Sequence, residues 1–184
     1  MSLELDPLYW HAVRWLVAAV FTGALAHKVV SPAGFGAVLR DYRLLPESTV
    51  PAAARLVVLL EAAVVVGLVT GIGLAWAAGL ATLLLAVYGG AMAINLARGR
   101  RDIDCGCLGA AAGARSRHSL SGWLLLRNGM LGALSLLLFL PVTGRELVVL
   151  DFAGIAAAAA IGFLLYTAAD QLMANAPRLA GGLR

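Results

Sequence analysis

Five apolar runs, each about 20 residues long, leave this chain few ways to fold. A helix rises about 1.5 Å per residue, so each run is long enough to cross roughly 30 Å of hydrocarbon. A helix also satisfies its own backbone hydrogen bonds, which lipid cannot do. The runs cover about residues 10–30, 52–71, 74–96, 120–140 and 150–173. Only 13% of the 184 residues are charged, against about 25% in a soluble domain. The predicted fold is therefore an all-α integral membrane protein. It forms a single transmembrane domain, because no polar break much exceeds about 20 residues and none could make a soluble domain. The turn Thr70-Gly71-Ile72-Gly73 makes the second and third spans antiparallel neighbours. Small residues at 156–160, Gly67 with Gly71, and Gly129 with Gly132 offer faces for close helix packing. The chain starts with acidic Glu4 and Asp6, not a positive segment, so its first span is expected to stay as an uncleaved anchor.

The connection at residues 31–51 carries a second pattern. Phe35, Val38, Leu39, Tyr42, Leu44 and Leu45 recur at helical spacing, with Arg40, Asp41 and Arg43 between them. This predicts a short amphipathic helix in the interface, entered at Pro32 and ended before Pro46. Net charge is +4 and the pI about 9.6, but the arginines flank apolar spans, where they orient a protein and meet anionic lipid headgroups. No nucleic-acid motif accompanies them. With five spans, Lys28, Arg40, Arg43, Arg55, Arg98, Arg100, Arg101, Arg115, Arg117, Arg178 and Arg184 share one side; Arg14 and Arg145 lie on the other. Eleven against two predicts the N-terminus outside and the C-terminus in the cytoplasm of a bacterial inner-membrane protein.

The only two cysteines, Cys105 and Cys107, flank Gly106 in the polar loop at 98–118, which the same count places in the cytoplasm. A disulfide across one glycine closes a very small ring, and strained, accessible disulfides are the exchangeable ones. Arg98, Arg100 and Arg101 would favour the thiolate. Both cysteines are thus candidate catalytic residues for thiol–disulfide exchange. Two other uses remain open. Thiolates are soft ligands, so Cys105 and Cys107, with His118 and Asp104 nearby, could hold Cu(I). A non-catalytic clip in an assembly factor is the other.

Ionisable groups within a span are costly and usually mark a site. Glu61 and Arg127 both lie roughly 10–14 Å deep when counted from the charge-rich side. They are expected to pair, since pairing offsets the cost of burying either alone. Tyr88 and Asn128 come to similar depth, and Asn95 lies nearer the loop. His27 and Lys28 end the first span on this side, with Lys28 expected to reach out to the headgroups. Asp170 approaches the end of the fifth span there too. The buried polar cluster is read as Lys28, Glu61, Tyr88, Asn95, Arg127 and Asn128; a proton or solute path through Glu61 is a further option. At the opposite end Trp10, His11, Arg14, Trp15 and Trp76 fit an interfacial belt.

The chain resembles the MauE family of bacterial membrane proteins, related to the DoxX-like four-helix proteins. The resemblance rests on Lys28, on Asp41-Tyr42-Arg43-Leu44-Leu45-Pro46, and on Glu61 and Gly67. It continues through Asn95-Leu96-Ala97-Arg98-Gly99-Arg100 into Asp104-Cys105-Gly106-Cys107-Leu108-Gly109, and ends with Leu126-Arg127-Asn128. It implies an antiparallel four-helix DoxX-like bundle plus a fifth transmembrane helix. It also implies a role beside a thioredoxin-like, MauD-like partner in maturing the disulfide-rich small subunit of methylamine dehydrogenase. Disulfides form outside the cytoplasm, whereas the charge count puts the cysteines inside. Either the loop exchanges electrons with a cytoplasmic thiol pool or the charge count misleads. With no cysteine inside a span, a quinone or a conformational change would have to complete the electron path.

Overall fold

The computed structural model describes residues 4–100 and 120–181. Cys105, Cys107, Asp104 and His118 lie outside the described residues. The described chain is helical, with one isolated backbone bridge between Leu5 and Val142. It runs α1 (Pro7–Val30), α2 (Pro32–Tyr42), a 3-10 turn (Glu47–Thr49), α3 (Val50–Thr70), α4 (Leu74–Ala97), α5 (Gly122–Leu137) and α6 (Val149–Gly181). Four of these stretches are long and apolar enough to cross a membrane: α1, α3 with its leading turn, α4, and α6 as far as Met173. The fourth predicted run gives a shorter helix. Regular winding in α5 covers 16 residues, and tighter i to i−3 bonds carry the chain through Leu140 to Pro141.

Local chemistry sets the helix ends. Asp6 caps α1 by accepting the Leu8 N–H at 2.9 Å, with Pro7 in the first turn, where its missing donor costs nothing. Ser31 and Pro32 break α1 from α2. Gly71, at φ +82°, ends α3 in the left-handed region. The last carbonyls of α3 are satisfied from outside: Arg14 of α1 donates to Leu68 O at 2.5 Å and to Val69 O at 3.1 Å. The start of α1 therefore lies beside the end of α3, and the two run antiparallel.

The helices pack closely where side chains are smallest. A Cβ placed on Gly67 would come within 2.6 Å of the Ala77 Cβ, so only glycine lets α3 approach α4 there. Gly154 faces Leu8 and Gly162 faces Leu16, which sets α6 parallel to α1 in constant register. The core is built on Val17, Ala18, Phe21, Val64, Leu68, Ala77, Ala78, Ala81, Leu84 and Leu85, closed by Leu131 of α5 and by Leu138 just after it. Outside, large apolar residues are bare: Trp76 is 87% exposed and Leu150 80%. Lys28, Glu61, Asn95, Arg127, Asn128 and Asp170 are all buried. Polar groups inside and apolar groups outside is the arrangement a hydrocarbon solvent selects, and the chain is an integral membrane helical bundle.

Arg145 ties together the end of the bundle where α1 and α6 begin. It donates to both Asp6 oxygens at 2.9 Å and to Asp151 at 2.8 Å. The Arg145 bonds, then the Leu8 N–H, hold the Asp6 carboxyl below its usual range. A lowered folded-state value gives a contribution that is present above the ordinary carboxylate pKa of about 4 and lost as pH falls through the folded value. Asp6→Asn keeps the cap and removes the charge. Its thermal midpoint is expected to fall slightly below wild type at pH 7 and to match it once Asp6 is protonated. Melting the two proteins across pH 2 to 7 checks this; a difference that persists at the acid end overturns it.

Candidate functional site

Six of the buried polar residues, Lys28, Glu61, Asn95, Arg127, Asn128 and Asp170, gather towards one end of the bundle, where α1 and α4 finish and α3 and α5 begin. Lys28 Nζ lies 2.7 Å from Glu61 Oε1, with the two side chains 3% and 0% exposed. The Tyr88 hydroxyl donates to the same oxygen at 2.8 Å. The ammonium also faces two rings, its nitrogen 5.2 Å from the Phe35 centroid and 5.7 Å from that of Tyr88. One contact group thus joins α1, α2, α3 and α4.

This corrects two expectations. Lys28 does not reach the headgroups, and its salt-bridge partner is Glu61; Arg127 pairs with Asp170 of α6 at 2.5 Å instead. Side-chain direction explains both outcomes. On a helix the Cα–Cβ bond tilts towards the N-terminus. Lys28 sits at the C-terminal end of α1, so its stem is aimed back into the bundle, down to Glu61. Arg127 sits near the N-terminal end of α5, so its stem leans the other way, towards the charge-rich end and Asp170. Matched depth counted along two helix axes ignored these opposite tilts.

The second group has its own cation–π contact, with the Arg127 guanidinium 5.1 Å from the Tyr166 ring centroid. Asn128 points elsewhere and donates to Met92 Sδ at 3.7 Å. A cavity of about 20 Å³, room for about one water molecule, touches Lys28, Glu61, Tyr88, Asn128 and Tyr166. Glu61 Oε2 is buried there without a protein partner among the described residues. The cavity thus reaches from the Lys28–Glu61 pair to Tyr166, the ring that faces Arg127, and the two ionic groups remain separate salt bridges. Asp170 and Tyr166 were missing from the cluster read in the sequence. Their four-residue spacing, which puts both on one face of the helix, was the available signal.

Asn95 belongs to a third arrangement. It is fully buried, donates to Ala91 O, and accepts from Arg100 Nη1 at 3.0 Å. Arg100 also donates to Tyr42 O at 3.3 Å and to Asp41 O at 2.7 Å. A single guanidinium thus ties the exit of α4 to the last carbonyls of α2, five positions before Cys105.

An apolar pocket of about 280 Å³ lies beneath α2, between it and the facing sides of α3 and α4. Lys28, Phe35, Tyr42 and Tyr88 border it, together with aliphatic side chains including Val57, Val87 and Met92. The short helix after the first span is therefore more than a surface element. Phe35 and Tyr42 are buried, and α2 roofs a chamber that opens onto the Lys28–Glu61–Tyr88 group.

The fold and this interior define a helical membrane protein whose two buried salt bridges lie at one end of the bundle. The family model described as "Methylamine utilisation protein MauE" matches residues 6–141. The chain belongs to the MauE family. It is 37% identical over 169 residues to methylamine utilization protein MauE of Paracoccus versutus, covering 91% of this chain and 88% of that protein. It is 37% identical over 132 residues to the Paracoccus denitrificans protein of the same name, covering 72% and 69%. The Methylorubrum extorquens protein is 36% identical over 145 residues, covering 77% and 75%. No solved structure matches the chain. Of the residues that carry the resemblance, Lys28, Glu61, Asn95, Arg127 and Asn128 are all buried at the polar end.

Removing one member of a buried pair leaves an uncompensated charge, a loss of about 3–5 kcal/mol. Lys28→Met and Glu61→Gln are each expected to lose that much, and the double variant much less than their sum. Arg127→Met with Asp170→Asn should behave the same way. Glu61→Gln with Arg127→Met should be close to additive. Double-mutant cycles on thermal unfolding in detergent measure all three couplings. Strong coupling in the last cycle alone would contradict the observed pairing.

Proposed function

We propose that this chain serves methylamine utilisation as a membrane thiol–disulfide protein, with Cys105 and Cys107 as its exchanging pair. It acts beside a thioredoxin-like partner in maturing a disulfide-containing protein, which in the family is the small subunit of methylamine dehydrogenase. Family membership supports the setting. The observation that carries the chemistry is the Arg100 clamp. The sole cysteines of the chain follow a residue that is fixed by three hydrogen bonds to α2 and Asn95. An arginine anchored there supplies positive potential close to the sequence that bears the thiols, which favours the thiolate needed for exchange. In this reading the protein lies in the bacterial inner membrane with its N-terminus outside, and the cysteine loop faces the cytoplasm.

Alkylation-shift analysis of purified protein in graded thiol buffers tests the exchange. A reversible, intramolecular two-thiol transition is expected, and Cys105→Ser or Cys107→Ser should each abolish it. Cysteines that stay reduced in every buffer, or that take up stoichiometric copper instead, would overturn the redox reading. Topology is read separately with a membrane-impermeant thiol reagent after mild reduction. Cys105 and Cys107 should react only after lysis, and rapid labelling in intact cells reverses the proposed orientation.

A further inference from the structure

We propose that the pocket under α2 is a binding site for an isoprenoid quinone, with the ring at Lys28 and Tyr88 and the tail leaving through the rim into lipid. The site is read from the pocket alone; its use in electron transfer rests on the thiol reading above.

The charge at the inner end of the pocket restricts the ligand. Lys28 is salt-bridged to Glu61, so this end carries no net charge to attract a phosphate or a carboxylate. The ammonium has three N–H donors, and among the described residues its hydrogen bond goes to Glu61 Oε1. The ammonium also lines the pocket. A neutral acceptor, such as a ring carbonyl, satisfies a remaining donor without adding charge to a buried site. A charged headgroup would add one that nothing there balances.

The walls restrict it further. Phe35, Tyr42 and Tyr88 border the inner part and offer ring faces to a flat ligand, while the rest is aliphatic. About 280 Å³ lies just below the usual span of ligand pockets, roughly 300–1,000 Å³. That suits one substituted ring with the first part of a tail better than a two-chain lipid. At the rim Leu45 is 43% and Val87 55% exposed, so an apolar tail can pass between them into hydrocarbon. Arg100 holds the C-terminal end of the α2 roof, which places this site and the root of the cysteine loop against the same short helix.

A quinone would also supply the oxidant that the chain itself lacks. Two thiols, at Cys105 and Cys107, give up two electrons and two protons as one S–S bond forms, and one quinone takes both to become the quinol. No cysteine pair within a span is then required.

The test uses the full chain in phosphatidylcholine nanodiscs with a photoreactive azidoquinone as probe and mass spectrometry to locate the label. Labelling is expected on peptides of α2 and of α4 around Ala91, displaced by decyl-ubiquinone and not by oleate or phosphatidylglycerol. Ala91→Trp fills the pocket without touching the ion pair and should cut labelling about tenfold with little change in melting. The double variant Lys28→Met/Glu61→Gln removes the donor while leaving no orphan charge. It should bind about tenfold more weakly, the loss of one hydrogen bond from a charged donor. Labelling elsewhere, labelling insensitive to Ala91→Trp, or equal displacement by oleate overturns the site and marks the pocket as an acyl-chain groove. The electron-transfer step is scored separately by anaerobic disulfide formation on adding decyl-ubiquinone. Binding without disulfide formation keeps the site and removes its redox use. Disulfide exchange with thiol buffers but no quinone labelling keeps the thiol reading and removes the site.

Discussion

A lysine and a glutamate buried against each other in hydrocarbon set the terms for the rest of this bundle. Both side chains are buried away from bulk water, so each depends on the other and on Tyr88, whose hydroxyl shares the Glu61 oxygen. Because their spacing is fixed at hydrogen-bond length, α1, α3 and α4 can slide or rotate against one another only by breaking it. Arg127 and Asp170 impose the same condition on α5 and α6. The apolar surfaces between these helices could not specify such a register, because lipid tails solvate leucine as well as another helix does.

The two ends of the bundle are built on different principles. At the end where α1 begins, specificity comes from size together with the Arg145–Asp6–Asp151 ionic network. Gly67 admits Ala77, glycines on α6 admit Leu8 and Leu16, and Arg14 closes the last carbonyls of α3. At the other end it comes from charge and hydrogen bonding, and the packing is looser. A chamber of about 280 Å³ stays open there under α2, beside a smaller cavity of about 20 Å³. Close packing gives rigidity and little chemistry, whereas the polar end has donors, rings and room. The cysteine-bearing sequence follows directly from that end, through Arg100 and its hold on α2.

Membership in the MauE family gives these features a context. Among the described residues, several charged motif side chains and Asn95 fall into three structural groups. Lys28 and Glu61 form the ion pair, Asn95 and Arg100 form the clamp on α2, and Arg127 pairs with α6. Gly67 does a separate job at the far end, as a contact that tolerates no side chain. Under the proposed thiol reading the cysteines need a source or sink of electrons, and the apolar chamber under α2 is where the proposed quinone would supply one.

Much of this was legible in the linear chain. Run length and low charge dictated a membrane bundle, since backbone groups in lipid must be satisfied within each helix. The periodicity of residues 31–51 foretold α2, and the depth of Glu61, Tyr88, Asn95, Arg127 and Asn128 foretold a polar interior. Which charges pair was not legible. Counting residues gives depth along an axis, but partners are chosen by the direction in which each stem leaves its helix and by which helices are neighbours. Lys28 turns inward and Arg127 outward because their helices run in opposite senses, and Asp170 became a partner because α6 lies parallel to α1. The pocket was equally hidden: its walls come from segments far apart in sequence, and only packing shows where side chains fail to fill the space between helices. The sequence by itself determined the solvent, the helices and the kinds of buried group. The tertiary structure decided their partners, because pairing depends on direction and neighbourhood, which a one-dimensional pattern does not contain.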